Sequence, residues 1–564
     1  MCSVRKYNAF ASSSPKFAFS IFTASVISAL ALAVPTAQGR SAAAPGAVAS
    51  ENLVVSQTAI ELLKRGGNAI DAAIGAALSA GVASPSSSGL GGGAFAVVHR
   101  AGERTPVILD FREEAPERVD AAALERRPLP WNERGHLVGV PGEARGLWEL
   151  SRRFGKLPWA ELTKPAERRA RLGFPVNAHL ARALGNTELA QEPSLAALFF
   201  PKGRAALAGS LIKNPKLART LQRLGAEGPA AIYDGAIASE IVATVASAGG
   251  TLALSDLAQY QVKERTPIRV QWEGYEIFTM PPPSAGGLLV AQTFGSLTKQ
   301  ELSTLGYQSG ALSHWLAEHF RASLVDRFRE VGDPEIVKVD VAALTEPARL
   351  AARKRRISLD RTHSVPLLVQ EEHGTHHLVV TDTAGNVISL TTTVNRGFGA
   401  KLVTPDTGIV LNDQLDDFTL RRDADALGAT RYPNAPRPRA RPTSSMTPTI
   451  VLRDGKPVLA LGGSGGMTIS SNVTQVLIGR LGFNKTPEEL LNAPRFFVPF
   501  RGPLTLMLED SSTPNVREDL ARRGERVGTM PASGSAVQII AWDGDKPSAA
   551  ADPRKFGSAL TTAP

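Results

Sequence analysis

The sequence predicts a mixed α/β (α+β) fold with helical layers around a strand-rich centre, and three observations carry that expectation. Helix-spaced apolar positions dominate residues 50–330, short β-rich runs take over from residue 375, and no fixed-period repeat divides the 564 residues into modules. At 43% hydrophobic and 21% charged residues, the chain has the composition of an ordinary soluble globular protein, long enough to bury a large core.

Each element follows from local pattern. Ala59, Leu62 and Leu63 have helical spacing before the Gly66-Gly67 break, and residues 69–82 are apolar throughout, which suits a buried helix. Residues 94–99 and 106–111 read as strands meeting at a turn. Residues 143–330 are mostly helical, as at 150–154 and 240–247, with strands interposed around 267–280. Beyond a hairpin that starts at 375, short strands are expected at 408–411, 449–452 and 458–461, and a helix at 468–482. Residues 420–443 are polar and Pro-rich, the composition of a mobile loop or lid.

The start of the chain reads as an address. Arg5, Lys6 and Lys16 precede an apolar run over 17–34, and Ala31-Leu32-Ala33 forms a small-residue cleavage site, so residues 1–33 have the layout of a secretory signal peptide. An uncleaved membrane anchor is the alternative, opposed by Ser20, Ser25 and Ser28 in a barely sufficient span. The single cysteine, Cys2, lies in this leader, so the remaining chain has no thiol and no disulfide framework. A periplasmic or secreted protein without a stable membrane anchor is expected. The net charge is +10, and because the leader carries three cations and no acid, +7 remains after its removal. Much of the excess is clustered, in Arg353, Lys354, Arg355 and Arg356 and in Arg431, Arg437, Arg439 and Arg441. No nucleic-acid recognition motif accompanies these clusters, so a solvated face or attraction for acidic substrates is the better reading.

The hairpin carries the chemistry. Residues 374–381 and 387–395 are β-rich runs around a turn containing Gly385 and Asn386. A turn centred on Ala384 places Thr375 opposite Thr393, within hydrogen-bond reach, with Asn395 further along the same face. A threonine beside a second hydroxyl and an amide has the makings of an activated nucleophile, although Thr-rich hairpins also serve purely structural roles.

Other blocks of the chain resolve that choice. In order they are Gly66-Gly67-Asn68-Ala69-Ile70-Asp71, Ser87-Ser88-Gly89-Leu90-Gly91-Gly92-Gly93, Asp110-Phe111-Arg112-Glu113-Glu114, and Gly139-Val140-Pro141-Gly142. Pro281-Pro282-Pro283-Ser284, Asp326-Arg327, Leu411-Asn412-Asp413-Gln414-Leu415-Asp416-Asp417, Arg441-Pro442-Thr443-Ser444-Ser445-Met446, Gly465-Gly466 and Asp552-Pro553-Arg554 follow. With the hairpin, this series resembles the γ-glutamyltransferases over almost everything after residue 45. The resemblance implies the four-layer αββα sandwich of the N-terminal-nucleophile hydrolases, and a precursor cut between Gly374 and Thr375. A large subunit (34–374) and a small catalytic subunit (375–564) would then form one interwoven unit.

The resemblance also assigns roles. Thr375 would be the nucleophile and, through its freed α-amine, its own base. Thr393 would support it, and Gly465 and Gly466 would supply the oxyanion hole. Arg112, Ser444 and Ser445 would bind the α-carboxylate of a γ-glutamyl donor, while Asp417, Gln414 and Asn395 would take its α-ammonium. The implied substrates are glutathione and other γ-glutamyl compounds, with water, amino acids or peptides as acceptors. No cofactor is implied. The residues allow a structural salt bridge of Arg112 with Glu113 or Glu114 as the alternative. A P-loop reading of 462–466 fails because Met467-Thr468 stands where Lys-Ser/Thr is required. His373, His376 and His377 lack zinc-type spacing, so no metal is expected. Ala285, Asp413 and His376 depart from the usual family residues. Two rivals remain: a glutaryl or cephalosporin acylase of the same superfamily, and an inactive binding homologue.

Overall fold

The computed structural model describes residues 45–363, 374–498, 505–532 and 534–562. The leader at 1–33 and His373 lie outside them. Two antiparallel sheets stack face to face. The seven-stranded sheet runs in the order Ser558–Thr561, Ala47–Ser50, Gly374–Thr381, Val387–Asn395, Gly93–His99, Val107–Phe111 and Lys263–Arg265. The six-stranded sheet runs Lys546–Ala551, Ala536–Asp543, Lys456–Ser464, Thr449–Arg453, Tyr275–Thr279 and Ile268–Trp272. Segments before and after residue 374 thus contribute strands to both sheets.

Side-chain alternation explains the layering. Along the central strands Leu378, Val380, Ile388 and Leu390 join one apolar cluster, with the helices Leu53–Lys64, Ala69–Ala83, Trp159–Leu172 and Pro215–Glu227. Val379 and Val387 point the other way, joining Ile450, Leu461 and Ile539 of the second sheet and the helices Gly286–Phe294, Gly310–Glu330 and Thr468–Phe483. Both faces of the central strands of the seven-stranded sheet are buried, and the polar residues there, such as Ser389 and Thr391, are buried with the rest. The order helix, sheet, sheet, helix is the αββα sandwich. Thr375, two and four residues before His377 and Val379, faces the second sheet.

The helices and strands fall close to their expected positions. Residues 420–443, which the composition reads as a mobile loop or lid, carry no strand and one helix. The segment begins with that short helix, Arg421–Ala426, and is tied down along its length. Tyr432 donates to Glu125 at 3.0 Å, Asn434 Nδ2 donates to the Asp417 carbonyl at 2.7 Å, and buried Arg441 pairs with Asp110 at 2.7 Å. These long-range partners make it a strap that holds the acidic loop in place.

Candidate active site

The hairpin forms in the register its turn predicts, from Thr381 opposite Val387 to Thr375 opposite Thr393. Thr375 Oγ1 lies 3.1 Å from Thr393 Oγ1. The Thr393 hydroxyl donates to the Gly374 carbonyl at 3.0 Å and accepts the Asn395 N–H at 2.9 Å. A hydroxyl has one proton, so Thr393, donating to Gly374, accepts from Thr375. One side chain thereby meets both the Thr375 hydroxyl and the Gly374 carbonyl. A Cβ on Gly374 would collide with the main-chain oxygens of Arg396 and Asn395, which accounts for glycine there.

Asn395 reaches the site differently from the regular strand expected. The register slips between Thr393 and Asn395, Asn395 pairs with Gly374, and its φ is +74°. This bulge re-aims the residue, and its Nδ2 donates to the Asp413 carbonyl at 3.1 Å.

Gly465 and Gly466 follow the strand Lys456–Ser464 and precede the 16-residue helix Thr468–Phe483. Their φ values of +119° and +63° are left-handed, a conformation open to glycine. Their N–H groups stand at the positive end of that helix, a location suited to an oxyanion. The same strand lies against the hairpin, since Ser389 Oγ donates to the Leu461 carbonyl at 2.8 Å.

The charged residues converge. Arg112 Nη2 donates to Asp417 Oδ2 at 2.5 Å, with the side chains only 1% and 3% exposed. Arg112 is therefore paired with Asp417 itself, and with neither Glu113 nor Glu114; Glu114 instead faces Arg441 and Arg439. Gln414 Nε2 donates to the same Asp417 oxygen at 2.6 Å. Asp417 Oδ1 and Gln414 Oε1 are buried acceptors with no hydrogen-bond partner among the described residues. Such atoms are costly unless a donor reaches them. The serine loop lies alongside: Arg112 Nε donates to Pro442 O at 2.7 Å, and Arg327 Nη1 donates to Ser445 Oγ at 2.6 Å and to Ser444 O at 2.8 Å. Ser445 Oγ accepts from Arg327 and donates to the Met467 sulfur at 3.6 Å, a weak acceptor.

Three residues escaped the sequence reading. Arg327 belongs to a quoted block, Asp326-Arg327, but nothing local marked it as the support of residues 444 and 445. Lys555 stands one position beyond the Asp552-Pro553-Arg554 block, yet its Nζ donates to the Thr375 carbonyl at 3.2 Å. Glu113 lies against the place of a Gly93 Cβ, 2.7 Å from its carboxylate, and Gly93 pairs with Thr393 across the sheet. Burial without a hydrogen-bond partner pushes the Glu113 carboxyl up to about 8.

His376 and His377 are core residues. Burial first, then nearby Lys555, pushes His376 down to about 3, and burial holds His377 well below its usual value. His377 Nδ1 is 2.8 Å from Thr391 Oγ1. Among the described residues no group of three or more His, Cys, Asp or Glu is arranged to hold a metal.

Asp413 offers a stability test. Burial pushes its carboxyl up to about 7, so between pH 4 and 7 the folded protein holds a proton that the unfolded chain has released. Stability must fall over that window. Asp413→Asn keeps the oxygen that accepts the Arg396 N–H at 2.9 Å and removes the titration. Its melting temperature should exceed that of the wild type at pH 8, by a margin that shrinks at pH 5; an equal margin at both would exclude this titration.

Comparison with known proteins agrees with this geometry. The γ-glutamyltranspeptidase family model matches residues 55–562. Glutathione hydrolase 2 of Arabidopsis thaliana is 35% identical over 540 residues, covering 91% of this chain and 93% of the relative. The glutathione hydrolase proenzyme of Escherichia coli K12 is 32% identical, covering 90% of each. The solved structure of cephalosporin acylase from Bacillus halodurans superposes with a TM-score of 0.82 at 26% identity, covering 92% of this chain and 96% of that one. Family match, fold and clustered charges converge: the chain belongs to the γ-glutamyltranspeptidase family and is an enzyme of γ-glutamyl transfer.

Proposed function

We propose that this chain is a self-cleaving glutathione hydrolase and γ-glutamyltransferase with Thr375 as nucleophile. In the precursor the Thr375 hydroxyl attacks the Gly374 carbonyl carbon while the Thr393 hydroxyl polarises the carbonyl oxygen. Collapse of that adduct breaks the Gly374–Thr375 C–N bond, passing the hydroxyl proton to the departing nitrogen and leaving an ester with a free Thr375 α-amine. Water then hydrolyses the ester to the Gly374 carboxylate and the Thr375 hydroxyl, separating the two subunits. That amine then takes the Thr375 hydroxyl proton as the oxygen attacks the γ-glutamyl amide. The Gly465 and Gly466 N–H groups stabilise the oxyanion, and the protonated amine returns its proton to the departing amine. Water, an amino acid or a peptide then receives the acyl group. Export behind a signal peptide at 1–33, to the periplasm or the exterior, completes the reading. Among the described residues no helix is long and apolar enough to cross a membrane.

The observation that carries the substrate assignment is the buried Arg112–Asp417 pair with its two unpartnered acceptors. An α-amino acid presents carboxylate and ammonium on one carbon, and an adjacent guanidinium and carboxylate complement both. Arg112→Ala should still self-cleave yet show a raised KM for γ-glutamyl anilides, because a charged clamp is lost. It should also melt lower, by about 3–5 kcal/mol of stability, since Asp417 would remain buried without its cation. An unchanged KM would place Arg112 outside the substrate site. The acylase reading is favoured by the Bacillus halodurans structure. Release of a chromogenic amine from γ-glutamyl against glutaryl anilides separates the two.

A further inference from the structure

The nucleophile end of the central strand lacks a strand on one side. Ala47–Ser50 pairs with Gly374–Thr381 from Thr381 only as far as Leu378. Beyond it, two charged side chains take over the main-chain groups. Glu51 Oε1 accepts the His377 N–H at 3.0 Å, and Lys555 Nζ donates to the Thr375 carbonyl at 3.2 Å. The two charges are 3.4 Å apart and nearly fully buried, at 1% and 3% exposure. Lys555 also donates to Ser464 Oγ at 2.6 Å, and Ser464 is the residue before Gly465.

We propose that Lys555 is a positioning residue that clamps the Thr375 main chain to Ser464 and so sets the separation between the nucleophile and the oxyanion donors. The two groups lie on different sheets, and one buried ammonium reaches both. Glu51 supplies the counter-charge and fixes the adjacent peptide of the same strand, so Thr375 is held at its carbonyl and again two residues on. In an extended chain the N–H and C=O of one residue point to the same side. The amine that cleavage creates on Thr375 therefore emerges on the edge that Lys555 holds. Lys555 touches no reacting atom; its effect is on alignment, where displacements near 1 Å cost on the order of 10²-fold in rate.

This rests on Thr375 being the nucleophile, and the test separates the two claims. Lys555→Gln, Ser464→Ala and their combination are compared with wild type on a γ-glutamyl anilide, with turnover normalised to cleaved chain. Lys555→Gln should lower kcat on the order of 10- to 100-fold with KM within about twofold of wild type, the pattern of lost alignment. The combined variant should lose little more than Lys555→Gln alone, because both remove one contact. An unshifted kcat, a loss confined to KM, or fully multiplicative losses would overturn the proposal. Loss of self-cleavage at an unchanged melting temperature is the expected result read one step earlier. If Lys555→Gln fails to fold, Glu51→Gln/Lys555→Gln removes both charges, and the same fall in kcat is required there. An active Thr375→Ala would defeat the nucleophile assignment, whereas an inert Thr375→Ala beside an unaffected Lys555→Gln would defeat only the role of Lys555.

Discussion

Thr375→Ala should accumulate as one uncut chain with no measurable turnover, whereas the wild type should run as two chains with Thr375 as the new N-terminus. Both effects have one origin. The hydroxyl that would attack Gly374 in the precursor is the hydroxyl that would attack the substrate afterwards, and cleavage itself creates the base. Loss of a nucleophile from an assembled site costs on the order of 10⁶ in kcat. Here the base is lost with it, because the α-amine stays locked in a peptide bond. The variant should nevertheless fold, since among the described residues the Thr375 side chain makes one hydrogen bond, the 3.1 Å bond to Thr393. Denaturing electrophoresis and N-terminal sequencing of both proteins decide the matter. An uncut and fully active wild type would rule the mechanism out.

Asp417→Asn should cut γ-glutamyl turnover steeply while leaving glutaryl turnover similar or improved. A γ-glutamyl group differs from a glutaryl group by its α-ammonium, and only the ammonium requires an anion opposite it. Leaving that charge unpaired in a desolvated pocket costs roughly 2–5 kcal/mol, or roughly 30- to several-thousand-fold in kcat/KM. The structure sharpens the expectation for the glutaryl donor. Arg112 is bonded to Asp417 at 2.5 Å, so removing the aspartate charge leaves the guanidinium more available to a carboxylate, which both donors possess. Measured kcat/KM for both anilides with both proteins gives the answer. Equal losses would mean that the Asp417 side chain supports the fold at large, and the preference for glutamyl groups would need another source.

The sequence by itself determined the features that depend on neighbours a few residues apart. The β-branched runs and the Gly385-Asn386 turn set the hairpin register, which alone predicts that Thr375 meets Thr393. Glycine at 374, 465 and 466 marks places where a side chain would collide or the backbone turns left-handed, and the ordered blocks named the family. Only the tertiary structure decided how the charges pair. Arg112 and Asp417 are separated by 305 residues, and Lys555 and Thr375 by 180, so no local pattern could relate them. The slip at Asn395 likewise depends on the loop carrying Asp413, which packs against it from elsewhere in the chain. Torsional preference and periodicity act over one or two turns of chain. Buried charges take whatever partner the stacked layers bring within reach, because an unpaired charge in that interior is too costly to leave.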